Sequence, residues 1–171
     1  MDGTLAVIFA LTSLADMALN DCPTGCLVEG RTVQRLSFQT GATEFQEDFI
    51  GTEIYAGYDM GRTYGPFQPT MAISVTDTGD TWLGVGAKWT SNDILTAGPL
   101  FVETSLMPGI YFAGDGPDIG GAMQFRSAFG IGYALGNGAT VSVLYDHRSN
   151  ADTQNLNPGL ETLSIRYAIA F

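Results

Sequence analysis

The feature of this sequence that most restricts its fold is an alternation of side-chain character. Between Ala122 and Leu135, small or polar side chains take one parity and six apolar side chains share the other, namely Met123, Phe125, Phe129, Ile131, Tyr133 and Leu135. Successive side chains point to opposite faces of a β-strand, so this period of two predicts a strand with one apolar face. Similar segments, separated by Gly, Asn, Asp and Pro, give eight strands from about residue 32 onward. The others centre on Thr32–Gln39, Thr52–Met60, Met71–Val75, Leu83–Trp89, Leu100–Phe112, Ala139–Ser149 and Leu163–Phe171.

The charged residues of these segments indicate which face points inward. Nine charged side chains fall on the polar face, and a dry core would need every one of them paired. The polar interior of an eight-stranded membrane barrel accepts them, while the apolar face meets lipid. The sequence therefore predicts an all-β fold, an eight-stranded antiparallel transmembrane β-barrel; a soluble lipocalin-like barrel is the alternative. The nine residues are Arg35, Glu53, Asp59, Lys88, Glu103, Arg126, Asp146, Arg148 and Arg166.

Composition excludes several other classes of protein. Hydrophobic residues make up 45% of the chain and charged residues 15%, which is too apolar for a disordered protein. Beyond the first positions there is no run of about 20 apolar residues, so a helical membrane protein is excluded. A net charge of −11 with only seven Lys and Arg argues against a nucleic-acid partner. The last strand, which ends on Phe171, resembles the C-terminal targeting strand of bacterial outer-membrane proteins.

The N-terminal segment differs from the rest, and we divide the chain into residues 1–18 and a single barrel domain at 19–171. An apolar run, Leu5–Leu11, precedes the small residues Ser13 and Ala15, as in a secretory signal peptide. Asp2 stands where a basic residue is expected, so a retained N-terminal helix or a mis-assigned start is the alternative. In an oxidising periplasm the only two cysteines, Cys22 and Cys26, favour a disulfide over a metal pair.

Three polar residues lie on the apolar face near the end of the chain. His147 and Ser149 continue the face of the preceding strand, and side chains two apart project about 6 to 7 Å from each other. Glu161 has the lipid-facing parity of the last strand, so antiparallel pairing predicts it beside Ser149 or diagonally from His147. An imidazole within reach of a hydroxyl and a carboxylate is the pattern of a serine hydrolase, although a solvated barrel rim also carries such residues.

The stretch from His147 to Ala151, then Asn157–Glu161, Tyr167 and Phe171, resembles the end of the lipid A 3-O-deacylase (PagL) family. The resemblance implies that Ser149 is the nucleophile, His147 the general base and Glu161 the residue that orients the imidazole. It also implies an oxyanion hole made by the Asn157 side chain and backbone amides after Ser149. The candidate oxyanion or substrate-orienting residues are Asn150, Asp152 and Asn157, and Asp152 stands where the family usually has glycine.

The expected function is that of an outer-membrane serine esterase that removes the 3-O-linked acyl chain of lipid A without a metal or cofactor. Its partners are lipid A or lipopolysaccharide in the outer leaflet and the outer membrane itself, and a homodimer is left open. The alternatives are a non-catalytic structural or adhesive barrel and an esterase that acts on phospholipid. Acidic residues in the segments assigned to the outer end would repel lipid A phosphates unless divalent cations or salt intervene. These residues are Glu44, Glu47, Asp48, Asp77, Asp80, Asp115, Asp118 and Asp152.

Overall fold

The fold is given by a computed structural model that describes residues 3–91 and 98–171. One α-helix, α1 (Thr4–Asp16), continues into a π-helical turn at Met17–Asp21. The strands of the described residues are β1 (Glu29–Arg31), β2 (Arg35–Phe45), β3 (Asp48–Asp59), β4 (Arg62–Tyr64), β5 (Gln68–Thr76), β6 (Thr81–Thr90), β7 (Leu100–Phe112), β8 (Met123–Ala134), β9 (Thr140–Ser149) and β10 (Leu160–Ala170).

Eight of these strands close into an antiparallel barrel, which confirms the predicted fold class. Their order is β2-β3-β5-β6-β7-β8-β9-β10, and β10 pairs back onto β2 from Glu161 opposite Glu44 to Ala170 opposite Arg35. The first barrel strand begins three residues later than the sequence pattern indicated. It also extends beyond the predicted end to Phe45, because Gly41 and its small neighbours hide the alternation of apolar and polar side chains there. The short strands β1 and β4 form a separate two-stranded sheet that the pattern missed, since three residues show no period.

The two ends of the barrel differ in which connections they carry. The upper rim, as we call it, consists of the connections β2–β3, β5–β6, β7–β8 and β9–β10. The lower rim is the opposite end, where β2 begins and β10 ends, and the β1–β4 sheet extends from the connection between β3 and β5. The upper connections are short, the longest covering residues 113–122 and 150–159.

The outward and inward faces confirm the predicted inside-out arrangement. Outward side chains are apolar and exposed; Ile131, Val143 and Ile165 keep more than half of their surface accessible. The lumen holds four basic and four acidic side chains in contact with one another. They are Lys88 with Asp59 and Glu103, Arg166 with Glu103, Arg126 with Glu53 and Asp146, and Arg148 with Glu53.

The lumen also contains an apolar cluster that sequence periodicity alone did not indicate. Trp82 is fully buried among Tyr55, Met107 and Tyr111, and the Arg126 guanidinium lies over the Tyr55 ring at 5.0 Å. Gly84 makes room for this ring, because a Cβ there would lie 2.2 Å from Cζ2 of Trp82. An aromatic side chain and a glycine on the same face of β6 therefore fill one layer of the barrel together.

Helix α1 packs on the outer wall of the barrel against β6, β7 and β8. Thr12 lies 3.5 Å from Thr104 on the outward face of β7, and the Trp89 indole N–H donates to Asp16 at 2.7 Å. With its π-helical extension, the segment Thr4–Asp21 is long and apolar enough to cross a membrane, a property that signal sequences share. Cleavage of residues 1–18 stays a prediction, and Met1 and Asp2 lie outside the described residues. The predicted disulfide between Cys22 and Cys26 is formed.

Candidate active site

The three polar residues singled out in the sequence meet at the upper end of the outer wall. His147 and Ser149 lie on the same face of β9 as the exposed Val143, whereas Arg148 between them points into the lumen and binds Glu53 at 2.5 Å. In the β9–β10 register Glu161 is directly opposite His147. The two sequence alternatives, beside Ser149 or diagonal from His147, are both replaced by this direct pairing, because β10 begins one residue before Glu161.

The imidazole and the carboxylate are in hydrogen-bond contact. Nδ1 of His147 lies 3.0 Å from Oε1 of Glu161, and both side chains are buried. Nε2 of His147 is also buried and has no hydrogen-bond partner within the described residues. The structure therefore joins the imidazole to the carboxylate through one ring nitrogen and leaves the other without a partner. No hydrogen bond joins that nitrogen to Ser149 in the described part of the chain, although Ser149 projects from the same face.

Gly159 fixes the position of the imidazole and was not recognised in the sequence. Its φ of +79° lies in the left-handed region, where glycine carries no steric penalty. A Cβ at this position would lie 2.6 Å from Cε1 of His147 and 3.5 Å from Oε1 of Glu161. The backbone thus packs directly on the edge of the ring. The Pro158-Gly159 pair at the end of the loop is the sequence signal that could have indicated such a close approach.

Asn150 has a different environment from the other candidate oxyanion residues. Its side chain is fully buried, and Nδ2 donates to the carbonyl oxygens of Gly120 at 2.8 Å and Leu156 at 2.6 Å. These bonds tie the β9–β10 connection to the β7–β8 connection. The amide of Asn150 therefore anchors two loops and is directed away from the space beside Ser149.

Asn157 and Asp152 are joined to each other next to Ser149. Oδ1 of Asn157 accepts from the backbone N–H of Asn150 at 3.0 Å, and Nδ2 donates to Oδ1 of Asp152 at 2.8 Å. An amide group has two N–H donors, so one remains for another acceptor. The Asp152 carboxylate therefore accepts a hydrogen bond from the Asn157 amide. This bond gives the carboxylate a local partner at a position where the resemblance implied glycine.

Two backbone N–H groups complete the set of donors. Ala151 and Asp152 have φ values of +54° and +58°, in the region that favours glycine, which fits the glycine usual at position 152 in the resembling family. Their N–H groups donate to no acceptor within the described residues. Both residues lie in the same cavity wall as Ser149, so their N–H groups are candidate donors to a negative charge that develops there.

A cavity of about 230 Å³ lies beside these donors. Leu106 and Phe125 give it an apolar surface, and the N-terminal end of α1 covers it with Gly3 and Ala6. Ser149 and Ser127 also line it, and Ser127 lies opposite His147 in the β8–β9 register. Sequence reasoning missed Ser127, since a small residue on an apolar face gives no signal. This cavity can hold an apolar chain next to the Ser149 hydroxyl.

Two other kinds of site were sought in the described residues: a second cavity that carries a nucleophile or a base, and a metal centre. A cavity of about 570 Å³ at the lower rim is lined by residues of β1 and β4 and contains no Ser, Cys or His. Over residues 3–91 and 98–171, no group of three or more His, Cys, Asp and Glu side chains is arranged to hold a metal ion.

Comparisons with known proteins place the chain among barrels of this kind. Residues 54–170 match the family model described as lipid A 3-O-deacylase (PagL), a range that includes His147, Ser149 and Glu161. The crystal structure of the outer membrane enzyme PagL superimposes with a TM-score of 0.64 and 21% identity over 80% of this chain and 99% of that chain. No protein in a comparison with curated sequences matches.

Two further solved structures share the architecture. A de novo designed transmembrane β-barrel has a TM-score of 0.59 and 9% identity, over 83% of this chain and 98% of its own. Neisserial surface protein A (NspA) has a TM-score of 0.55 and 11% identity, over 83% of this chain and 99% of its own. At these identities the structural matches establish the fold, and the family assignment comes from the match over residues 54–170.

Proposed function

This chain belongs to the lipid A 3-O-deacylase (PagL) family of outer-membrane carboxylic ester hydrolases, and we propose that Ser149, His147 and Glu161 are its catalytic residues. The observation that carries this proposal is the 3.0 Å contact between Nδ1 of His147 and Oε1 of Glu161, beside a cavity that Ser149 lines. A serine hydrolase needs a nucleophile, a base and a group that orients the base, all facing one space. The three residues supply these groups on the lipid-facing wall.

In the first half of the proposed reaction, Oγ of Ser149 attacks the ester carbonyl carbon while Nε2 of His147 takes the hydroxyl proton. Glu161 keeps the remaining ring proton on Nδ1 and stabilises the imidazolium that forms. The carbonyl oxygen becomes an oxyanion, which the free N–H of Asn157 and the N–H groups of Ala151 and Asp152 can bind. The ester bond then breaks, and the imidazolium returns its proton to the sugar oxygen, which leaves as a hydroxyl group.

In the second half, water replaces the sugar. His147 takes a proton from the water as it attacks the acyl-serine, and the tetrahedral intermediate uses the same donors. Collapse of this intermediate breaks the bond to Ser149, whose oxygen regains the proton from the imidazolium. The products are a free fatty acid and lipid A with one acyl chain fewer, and the enzyme is restored without a redox change.

The location of the site supports an acyl chain as its ligand. Ser149 lies where the apolar wall meets the upper rim, and the cavity next to it has Leu106 and Phe125 on its surface. The ester bonds of a lipid in the outer leaflet lie just below its headgroup, so a site at this height meets them without extracting the lipid. The acyl chain would lie along the wall, and the sugar would lie at the rim.

The reaction is tested by mass spectrometry of lipid A from cells that express the chain and from cells that do not. We expect lipid A that has lost one 3-O-linked acyl chain, together with the free hydroxy fatty acid. Lyso-phospholipids with intact lipid A would point instead to a phospholipid esterase. Unchanged lipids of both kinds would show a non-catalytic barrel.

Replacing Gly159 is expected to slow the reaction without unfolding the barrel. A Cβ in Gly159→Ala would push against Cε1 of His147 and turn the ring away from Glu161 and Ser149. Displacement of a catalytic group by about 1 Å can cost about 100-fold in rate, and we expect a loss in kcat of that order. Gly79→Ala is the matched control, because its φ of +81° imposes the same backbone strain and a Cβ there has nothing within 4 Å. Equal activity of the two variants would contradict the role of Gly159.

Removing the Asn157 amide should lower kcat by about 100-fold or more with little change in KM, because the oxyanion develops only during the reaction. Asn157→Ala also removes the acceptor for the Asn150 N–H, so loop loosening must be separated from the loss of a donor. Thr153→Ala serves this purpose, since it removes another bond in the same loop, the 2.8 Å bond to the Asn150 carbonyl. Steady-state kinetics in detergent micelles should show near-normal turnover for Thr153→Ala, and a matching loss would count against the oxyanion assignment.

A further inference from the structure

The charges of the barrel are separated by height. All seven Lys and Arg residues lie in the lumen or toward the lower rim. The four in the lumen contact four carboxylates there, so this layer has no formal excess charge. The remaining three, Arg31, Arg35 and Arg62, belong to β1, β4 and the start of β2. No cationic residue of the described chain is therefore available at the upper rim.

The upper rim carries carboxylates instead. Seven of them are exposed, and none makes an ion pair with Lys or Arg among the described residues. Their contacts are with neutral groups: Asp77 accepts from the Thr52 N–H at 3.1 Å, and Asp118 accepts from the Gly120 N–H at 2.9 Å. The seven are Glu44, Glu47, Asp48, Asp77, Asp115, Asp118 and Asp152.

Two of these carboxylates lie close to the proposed reaction centre. Glu44 is opposite Glu161 in the β2–β10 register, and Asp152 lines the same cavity as Ser149. The site itself is marked independently of the acidic residues by the buried, unpartnered Nε2 of His147 and by the cavity. A lipid whose acyl ester reaches Ser149 must hold its headgroup against this negative surface. A negative field of this kind lowers the local concentration of anionic ligands and slows their association.

We infer that this enzyme selects acylated glycolipid substrates with few or no phosphate groups on the sugar, an inference that rests on the proposed function. A phosphorylated disaccharide would place its negative charges beside Glu44, Asp152 and the other rim carboxylates, with no Lys or Arg to bind them. A phosphate-free headgroup meets the same rim without this repulsion. The rim carboxylates thus discriminate between headgroups by their charge, and the cavity beside Ser149 accommodates the acyl chain.

The test uses the full chain in neutral detergent micelles with EDTA at low ionic strength. Three substrates with the same acyl chains are compared: lipid A with two phosphates, with one and with none. We expect kcat/KM to rise by about tenfold or more from the first to the last, and the difference to shrink in high salt, where charges are screened. Equal turnover of the three substrates, or faster turnover of the doubly phosphorylated one, would overturn the inference.

A charge-neutralised rim provides a second measurement. The combined variant Glu47→Gln, Asp48→Asn and Asp115→Asn removes three exposed charges whose side chains are not part of the proposed machinery. We expect it to accelerate the doubly phosphorylated substrate several-fold and to leave the phosphate-free one unchanged, while Glu29→Gln at the lower rim changes neither. The same acceleration of both substrates would reject a headgroup effect. Hydrolysis of a small neutral ester that depends on Ser149 tests the proposed function separately, so failure of the phosphate series alone overturns only this inference.

Discussion

Ser149→Ala is expected to reduce release of the acyl chain by at least about 1,000-fold, and His147→Ala by a similar factor. Loss of the nucleophile or the base of a serine hydrolase removes the covalent route, and what remains comes from binding and oxyanion stabilisation. Both side chains lie at the edge of the outer wall and make no ion pair with the lumen charges. The variants should therefore stay folded while losing activity.

The measurement is single-turnover release of fatty acid from lipid A, combined with a gel-shift assay that separates the folded from the heat-unfolded barrel. Glu161→Ala should keep a larger residual rate than the other two variants, because an orienting carboxylate contributes less than the groups that react. Val143→Ala, on the same face of β9 but away from the site, is the control for the wall. Wild-type activity in Ser149→Ala would mean that the polar cluster belongs only to a solvated rim.

Glu53→Ala is expected to lower the free energy of unfolding by about 3–5 kcal/mol. Glu53 accepts from Arg126 at 2.7 Å and from Arg148 at 2.5 Å, and all three side chains are buried. Removing one partner of a buried ion pair leaves an uncompensated charge, which costs far more than the intact pair contributes. Here the loss affects two guanidinium groups at once, although Asp146 still contacts Arg126.

Urea unfolding in detergent, followed by tryptophan fluorescence, measures this effect, since Trp82 lies in the same layer of the lumen. The control is Glu29→Ala, whose ion pair with Arg62 at 3.4 Å is solvent-exposed and should contribute at most about 1 kcal/mol. A similar small change in both variants would mean that water enters the lumen and solvates Arg126 and Arg148. Because Arg148 lies between His147 and Ser149 in β9, Glu53→Ala should also lower turnover.

The parts of the fold that follow from the period of a strand were predictable. Charged residues such as Arg126 and Asp146 fall on one face of their strands and apolar residues on the other. The strands could therefore be counted from the sequence, because the position of a side chain in a strand determines the face to which it points. The common face of His147, Ser149 and Glu161 followed from the same rule. Which residue Glu161 opposes did not follow, since the register depends on where the β9–β10 connection lets β10 begin.

The loop geometry of the site was not predictable from the sequence. The contact of Gly159 with the imidazole and the bond between Asn157 and Asp152 depend on backbone conformations without a period, including positive φ at Ala151. The inward position of Trp82 was missed for a different reason: a large aromatic side chain fits either face, and only the glycines packed around it show that there is room inside.

The ion pairs of the lumen have a consequence for the way the barrel is assembled. Glu53 on β3 is joined to Arg126, 73 residues later on β8, and to Arg148, 95 residues later on β9. A partly inserted, open sheet would carry these groups into the hydrocarbon before their partners arrived, which is unfavourable for every unpaired charge. Insertion and closure should therefore take place in one cooperative step, with the C-terminal strands required before the N-terminal strands can enter the bilayer stably.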